Sequence, residues 1–150
     1  PTDLIQLNLA IGADMTMHEP AHFIASTMQD AGFDSWVYRF TYTAESTRPE
    51  QMSQIHAGEL PFLFDNLSAR YGDAVTANDQ ETATAFNTYV ANFIKNGNPN
   101  GDGLPSWPPI TPAEFDVMDF TLEDGPVFGP DPRTSVALVS AAQERHLAGN

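Results

Sequence analysis

Cysteine is absent from the 150 residues, which excludes disulfide frameworks, iron–sulfur clusters and thiol nucleophiles and leaves only His, Asp or Glu to hold a zinc ion. Basic residues are scarce: six Lys and Arg stand against 20 Asp and Glu, for a net charge of −14. Such a field repels phosphate backbones and anionic lipid surfaces, so nucleic acid is not expected as a partner. No apolar run approaches the length of a membrane span, and the opening PTDLIQ has neither the basic nor the apolar region of a signal peptide. Secreted and cytoplasmic settings both stay open, and the start at proline fits a processed or nicked product. Also missing is any Gly-x-Ser-x-Gly elbow around the eight serines, Ser26, Ser35, Ser46, Ser53, Ser68, Ser106, Ser135 and Ser140, and any Gly-Gly run. The nucleophile and oxyanion hole of a serine hydrolase are therefore not encoded in a readable form.

What is present suffices for a sizeable core, since 41% of the residues are apolar. Pro20 suits a first helical position, and Phe23, Ile24, Thr27, Met28 and Ala31 recur at helical spacing before Gly32, which predicts a helix over 20–31. Residues 3–13 favour helix weakly. SWVYRFTYT, residues 35–43, is the best strand, with Trp36, Tyr38, Phe40 and Tyr42 on one face and read as core. The run from Asn78 to Gly97 is the best helix: Asn78 with Glu81 resembles a capping box, and Phe86, Tyr89, Val90, Phe93 and Ile94 form its apolar stripe. A turn-rich loop follows, then a short strand at Val117–Phe120 and a last helix from Pro132 to about Leu147. Alternating helices and strands suit α/β architecture, yet two strands make no self-sufficient sheet. The pattern expects a partner segment.

His18-Glu19-Pro20-Ala21-His22 spells the H-E-x-x-H of zinc proteases, which needs both imidazoles one turn apart on a helix. With Pro20 as the first helical residue, His18 falls outside the helix and that geometry is lost. The extended zincin pattern also fails, because Ala25 and Met28 occupy the positions of its glycine and third histidine. His18, His22 and His146 are expected to be cap or surface residues, and no metal site is expected. Asn66-Leu67-Ser68 spells a glycosylation sequon, whose use is not expected.

A different segment carries more. HAGELPFLFDNL, residues 56–67, lies a short loop after VYRFTY, and YVANFIKNGNPNGDGLPSWPPI runs through the best helix into the following loop. These stretches, with Asp14 and the helix at Pro20, resemble the type B carboxylesterases, the α/β-hydrolase family that includes the cholinesterases. In that family a VYxYxF strand leads to H-G-x-E-L and an aromatic PYVFGNL, and a helix ending in NF is followed by GxPN and WP. The resemblance covers nearly the whole chain and corresponds to the last quarter or third of a family member. Ala57 departs from the family's usual glycine, and Val90 from a frequent tryptophan.

The resemblance implies the C-terminal part of an α/β-hydrolase fold, with a mostly parallel central sheet flanked by helices, incomplete without the preceding segment. It implies a single catalytic domain of which residues 1–150 are the C-terminal portion, and a serine carboxylic ester hydrolase in which His56 is the general base and then the general acid. The serine, the triad acid and the oxyanion hole would lie on that preceding segment, the expected partner of this chain. Glu59 is implied to support the histidine loop rather than to be the triad acid. Met52, Ile55 and Leu60 flank His56 and are candidates to line the pocket of a small carboxylic ester. No cofactor is required by this chemistry. Two readings compete: a non-catalytic cholinesterase-like binding or adhesion module, and a zinc hydrolase using His18 and His22.

Overall fold

The computed structural model describes residues 3–51, 54–111, 115–123, 125–147 and 149. It divides into two compact bodies, residues 1–37, 109–116 and 130–150 forming one and residues 38–108 and 117–129 the other.

The first body is built on continuous helical backbone. Asp3 caps it by accepting from the Ile5 N–H at 2.9 Å, and α1 (Leu4–Ala13) passes through a π-helical turn (Asp14–His18) into α2 (Glu19–Asp30). The helix therefore does not open at Pro20, as its sequence suggests, but carries Pro20 inside it. A proline in an α-helix lacks the N–H for the carbonyl four residues back and presses its ring against that group. The π-turn relieves this, because the wider spacing lets the Glu19 N–H reach back to the Asp14 carbonyl. Gly32 ends the helix in a left-handed conformation, φ 85°, and the Phe33 N–H returns to the Met28 carbonyl. The last helix, α6 (Ser135–Leu147), begins later than Pro132. Asp131 accepts from the Arg133 N–H at 2.8 Å, and this tight turn holds residues 131–133 out of the helix.

The second body holds the sheet. β1 (Tyr38–Phe40) is shorter than the aromatic run around it, and it pairs in parallel with β2 (Asp116–Phe120), Arg39 facing Asp119 across the ladder with a 2.9 Å ion pair. β3 (Pro126–Pro130), which its prolines and glycine hide from a sequence reading, flanks β2 to give the order β1-β2-β3. So short a connection from β2 to β3 requires an antiparallel pair, which makes the sheet mixed. The alternation in residues 36–42 holds only in part: Tyr42 is buried, Trp36 and Phe40 are half-buried, and Tyr38 is exposed.

Two short helices the sequence does not announce, α3 (Leu60–Leu63) and α4 (Leu67–Tyr71), precede the long α5 (Ala77–Asn96). The capping box of α5 is Thr76 with Asp79 rather than Asn78 with Glu81. Its buried face runs through Asp79, Thr82, Ala83, Phe86 and Tyr89, while Val90 is half-buried and Phe93 and Ile94 are exposed. Phe86 packs on Phe40 and Phe120 with ring centroids 5.0 and 4.7 Å away, and Phe62 of α3 meets Phe40 at 5.2 Å. These rings form the core. The loop after α5 shows why its asparagines and tryptophan belong together. Asn100 donates to the Trp107 carbonyl and accepts from its N–H, at 2.8 and 2.7 Å, while Asn92 donates to the Pro99 carbonyl at 3.2 Å. Trp107 is thereby fixed edge-on against Tyr89.

Candidate active site

His56 stands at the first central position of a tight turn. The Gly58 N–H donates to the Ile55 carbonyl at 3.0 Å, and Ala57 occupies the left-handed region at φ 60°. That is the second central position of a type II turn, where glycine is favoured. The turn leaves His56 exposed. Glu59 follows as the N-cap of α3; its carbonyl accepts from Phe62 and Leu63, and its half-buried side chain makes no capping bond. The Tyr38 phenol is held above its ordinary value, first because its hydroxyl end is desolvated although the residue as a whole is exposed, and second by the Glu59 charge. Ile55 and Leu60 are both exposed beside the turn, whereas Met52 and Ser53 lie outside the described residues.

Ala57 is strained where glycine would not be. An L-residue in the left-handed region costs about 1 kcal/mol, so Ala57→Gly is expected to raise stability by up to about 1 kcal/mol, offset in part by glycine's greater freedom in the unfolded chain. Chemical denaturation of the two proteins checks this. A destabilised Ala57→Gly protein would contradict the turn assignment. Asp65, where the family's PYVFGNL has glycine, is likewise left-handed at φ 50°, a conformation that aspartate tolerates better than alanine.

The other histidines are engaged elsewhere. His22, expected at the surface, is half-buried: its Nε2 lies 2.9 Å from Asp131 Oδ2 and its ring stacks on Phe115 at 3.5 Å. His18 Nδ1 accepts from Arg133 Nη1 at 2.9 Å, so a guanidinium charge lies against the imidazole and disfavours a second cation on it. Among the described residues no His, Asp and Glu cluster is arranged to hold a metal. Both histidines do sit on helical backbone, contrary to the sequence expectation for His18, but the π-turn directs them to different partners. His146 is exposed.

Asp14, Ser135 and His18 also meet, in an order unsuited to nucleophilic catalysis. Ser135 Oγ donates to Asp14 Oδ2 at 2.7 Å, and Arg133 donates both to Asp14 Oδ1 and to His18. The hydroxyl is tied to the carboxylate, with the imidazole occupied by arginine, so no imidazole faces the serine. Burial works to raise the Asp14 carboxyl, but the hydrogen bonds from Ser135 and Arg133, with the charges of Arg133 and His18, hold it below the ordinary 3.8. Burial first, and the Arg133 charge second, push His18 below the ordinary 6.5. Both groups then bind protons more readily unfolded than folded. Their contribution is fully present above pH 6.5 and is lost on acidification, first below 6.5 through His18 and then below 3.8 through Asp14. The melting temperature should fall between about pH 7 and about pH 5, and His18→Gln should flatten that interval. A His18→Gln profile identical to the parent's would remove His18 as its cause.

Residues 5–133 match the carboxylesterase family. Over 130 residues the chain is 31% identical to carboxylesterase 1C of Mus musculus, across 83% of this chain and 22% of that protein. The chain belongs to the carboxylesterase family. It is also 33% identical over 94 residues to the cocaine esterase of Homo sapiens, covering 57% of this chain and 17% of that protein. Among solved structures it is similar to the carboxylesterase of Geobacillus stearothermophilus, at a TM-score of 0.59 and 24% identity over 77% of this chain and 24% of that one. A PNB esterase gives a TM-score of 0.58 and 24% identity over 69% and 21%. The architecture is thus part of an α/β-hydrolase fold, and the chain spans about a fifth of the length of these carboxylesterases.

Two polar residues of this carboxylesterase chain escape a sequence reading. Gln54 donates from Nε2 to the Tyr42 carbonyl at 2.7 Å and accepts at Oε1 from the Ile55 N–H at 3.0 Å. No spacing announces that contact, since its partner lies across a loop. Asp79 accepts from the Tyr42 hydroxyl and from the Glu45 and Thr76 N–H groups. Here a signal existed, because Thr76-Ala77-Asn78-Asp79 fits a capping box, although nothing local foretells its tie to Tyr42.

Proposed function

We propose that this chain supplies the triad histidine of a type B serine carboxylesterase, with His56 as general base in acylation and general acid as the alcohol leaves. The observation that carries the reading is the turn at 55–58, which holds an exposed imidazole in the loop following β1. In open α/β sheets such loops beyond the strand ends are where active-site groups gather. In a hydrolytic cycle His56 removes the proton from a serine hydroxyl as its oxygen attacks the ester carbonyl, then passes it to the departing alkoxide. It next takes a proton from water as the hydroxide attacks the acyl-enzyme, and returns it to the serine.

The serine, triad acid and oxyanion hole belong, in this reading, to another segment of the same catalytic domain. Two features support that division: no elbow motif surrounds any serine here, and α1 exposes Leu4, Ile5 and Leu9, apolar surface that water does not favour. Glu59, at the start of α3 beside the histidine turn, is assigned a supporting role for that loop. Ile55 and Leu60, with Met52, are assigned to the pocket for a small carboxylic ester. The assembled protein should hydrolyse a short-chain aryl ester and be labelled on serine by a fluorophosphonate, with loss of turnover. A folded assembly that does neither favours the cholinesterase-like binding module.

A further inference from the structure

We infer that Gln54 is the positioning residue of His56, an inference that rests on the reading of His56 as the catalytic base. Residues 55–59 make, among the described residues, backbone hydrogen bonds only within the turn and to the start of α3. Such a turn has a defined shape but no defined place. Gln54 gives it one. Its Nε2 donates to the Tyr42 carbonyl, and its Oε1 accepts from the Ile55 N–H, one residue before the histidine, and from Gln51 Nε2 at 3.2 Å. The donor end grips a fixed body: Tyr42 is buried, its hydroxyl donates to Asp79 at 2.9 Å, its ring meets Phe62 edge-on, and Arg48 lies over its face. The acceptor end grips the backbone that carries the imidazole.

Only an amide of this length serves both ends. Glutamate would keep the acceptor but set a negative oxygen against the Tyr42 carbonyl; asparagine falls one methylene short; methionine keeps the length and makes neither bond. Gly58 completes the fit from the other side. A Cβ there would collide with the Gln54 side-chain amide and come within 3.0 Å of the Ile55 carbonyl. The glycine one place later than usual is therefore matched to the glutamine, and the two form one device that sets where the imidazole stands. Proton transfer demands such placement, since a misplacement of about 1 Å costs about 100-fold in rate.

The test compares Gln54→Met, Gln54→Glu, Gly58→Ala and His56→Ala in the assembled enzyme, with aryl-ester kinetics and thermal unfolding. At temperatures where the variants stay folded, each of the first three should lower kcat by about 10- to 100-fold with KM nearly unchanged. The decisive arm is the double variant Gln54→Met, His56→Ala, which should be no slower than His56→Ala alone, because Gln54 acts only through the imidazole. A glutamine that merely supported the fold would instead cut the residual rate of the His56→Ala background as far as it cuts the parent's. That result overturns the inference, as does a kcat within twofold of the parent in Gln54→Met. If His56→Ala keeps the parental rate, the base assignment falls and the positioning role with it; if His56→Ala is inactive and Gln54→Met is not, the positioning role alone falls.

Discussion

His56→Ala, made in the assembled carboxylesterase, is expected to lower ester turnover by about four orders of magnitude or more with almost no change in melting temperature. The two halves of that expectation have separate physical origins. Within this chain the imidazole stands exposed on a turn whose shape comes from backbone bonds, so its removal opens no cavity in the chain's own packing. Such surface changes ordinarily alter stability by less than about 0.5 kcal/mol. The rate falls because a serine hydroxyl without a base is a poor nucleophile at neutral pH, and because the leaving alkoxide loses its proton donor. His146→Ala serves as the inert control. His22→Ala should differ from both, lowering stability through loss of the Asp131 contact and the Phe115 stack while leaving turnover near the parent's. A near-parental rate for His56→Ala would remove the assignment.

The parts of this chain legible in its sequence are those whose causes are local. α2 and α5 follow from apolar spacing closed by Gly32 and Gly97, and β2 lies where a short strand is expected at Val117–Phe120. The proposal for His56 rests on residues that flank it in sequence, and Ala57, in the place of the family's usual glycine, takes the left-handed conformation that glycine favours. What escaped depends on groups distant along the chain. Pro20 is an honest helix-start signal, but a π-turn lets the helix run through it, a rearrangement that the neighbouring Asp14 to His18 sequence does not advertise. The surface reading of His22 failed because Asp131 and Phe115 come from the other end of the chain. Gln54 and Asp79 carry no motif for their most consequential contacts, with the carbonyl and hydroxyl of Tyr42. Burial and long-range hydrogen bonding are decided by packing, and packing is not written in any window of ten residues.

Asp79→Ala is expected to destabilise the second body by about 3 kcal/mol or more. The carboxylate is fully buried and receives three donors: the Tyr42 hydroxyl at 2.9 Å, the Glu45 N–H at 3.0 Å and the Thr76 N–H at 2.9 Å. Alanine would leave all three without their acceptor, and each buried donor so orphaned costs about 1–3 kcal/mol. The Tyr42 phenol, held above its usual range by burial and by its bond to Asp79, cannot escape by ionising. Asp79→Asn keeps the volume and one carbonyl oxygen but turns an NH2 toward groups that donate, so it should lose about half as much. Tyr42→Phe removes one donor together with its demand and should cost least, about 1 kcal/mol. The order Ala, Asn, Phe, read as unfolding midpoints in urea, tests the network as a unit. The consequence for function follows from the same atoms. Asp79 fixes Tyr42, Tyr42 offers its carbonyl to Gln54, and Gln54 holds the backbone beside His56. At temperatures where the Asp79→Asn protein stays folded, its kcat should therefore fall while its KM does not, linking a helix cap in α5 to the imbalance of a proton-transfer step; equal effects on kcat and on the folded fraction would confine Asp79 to stability.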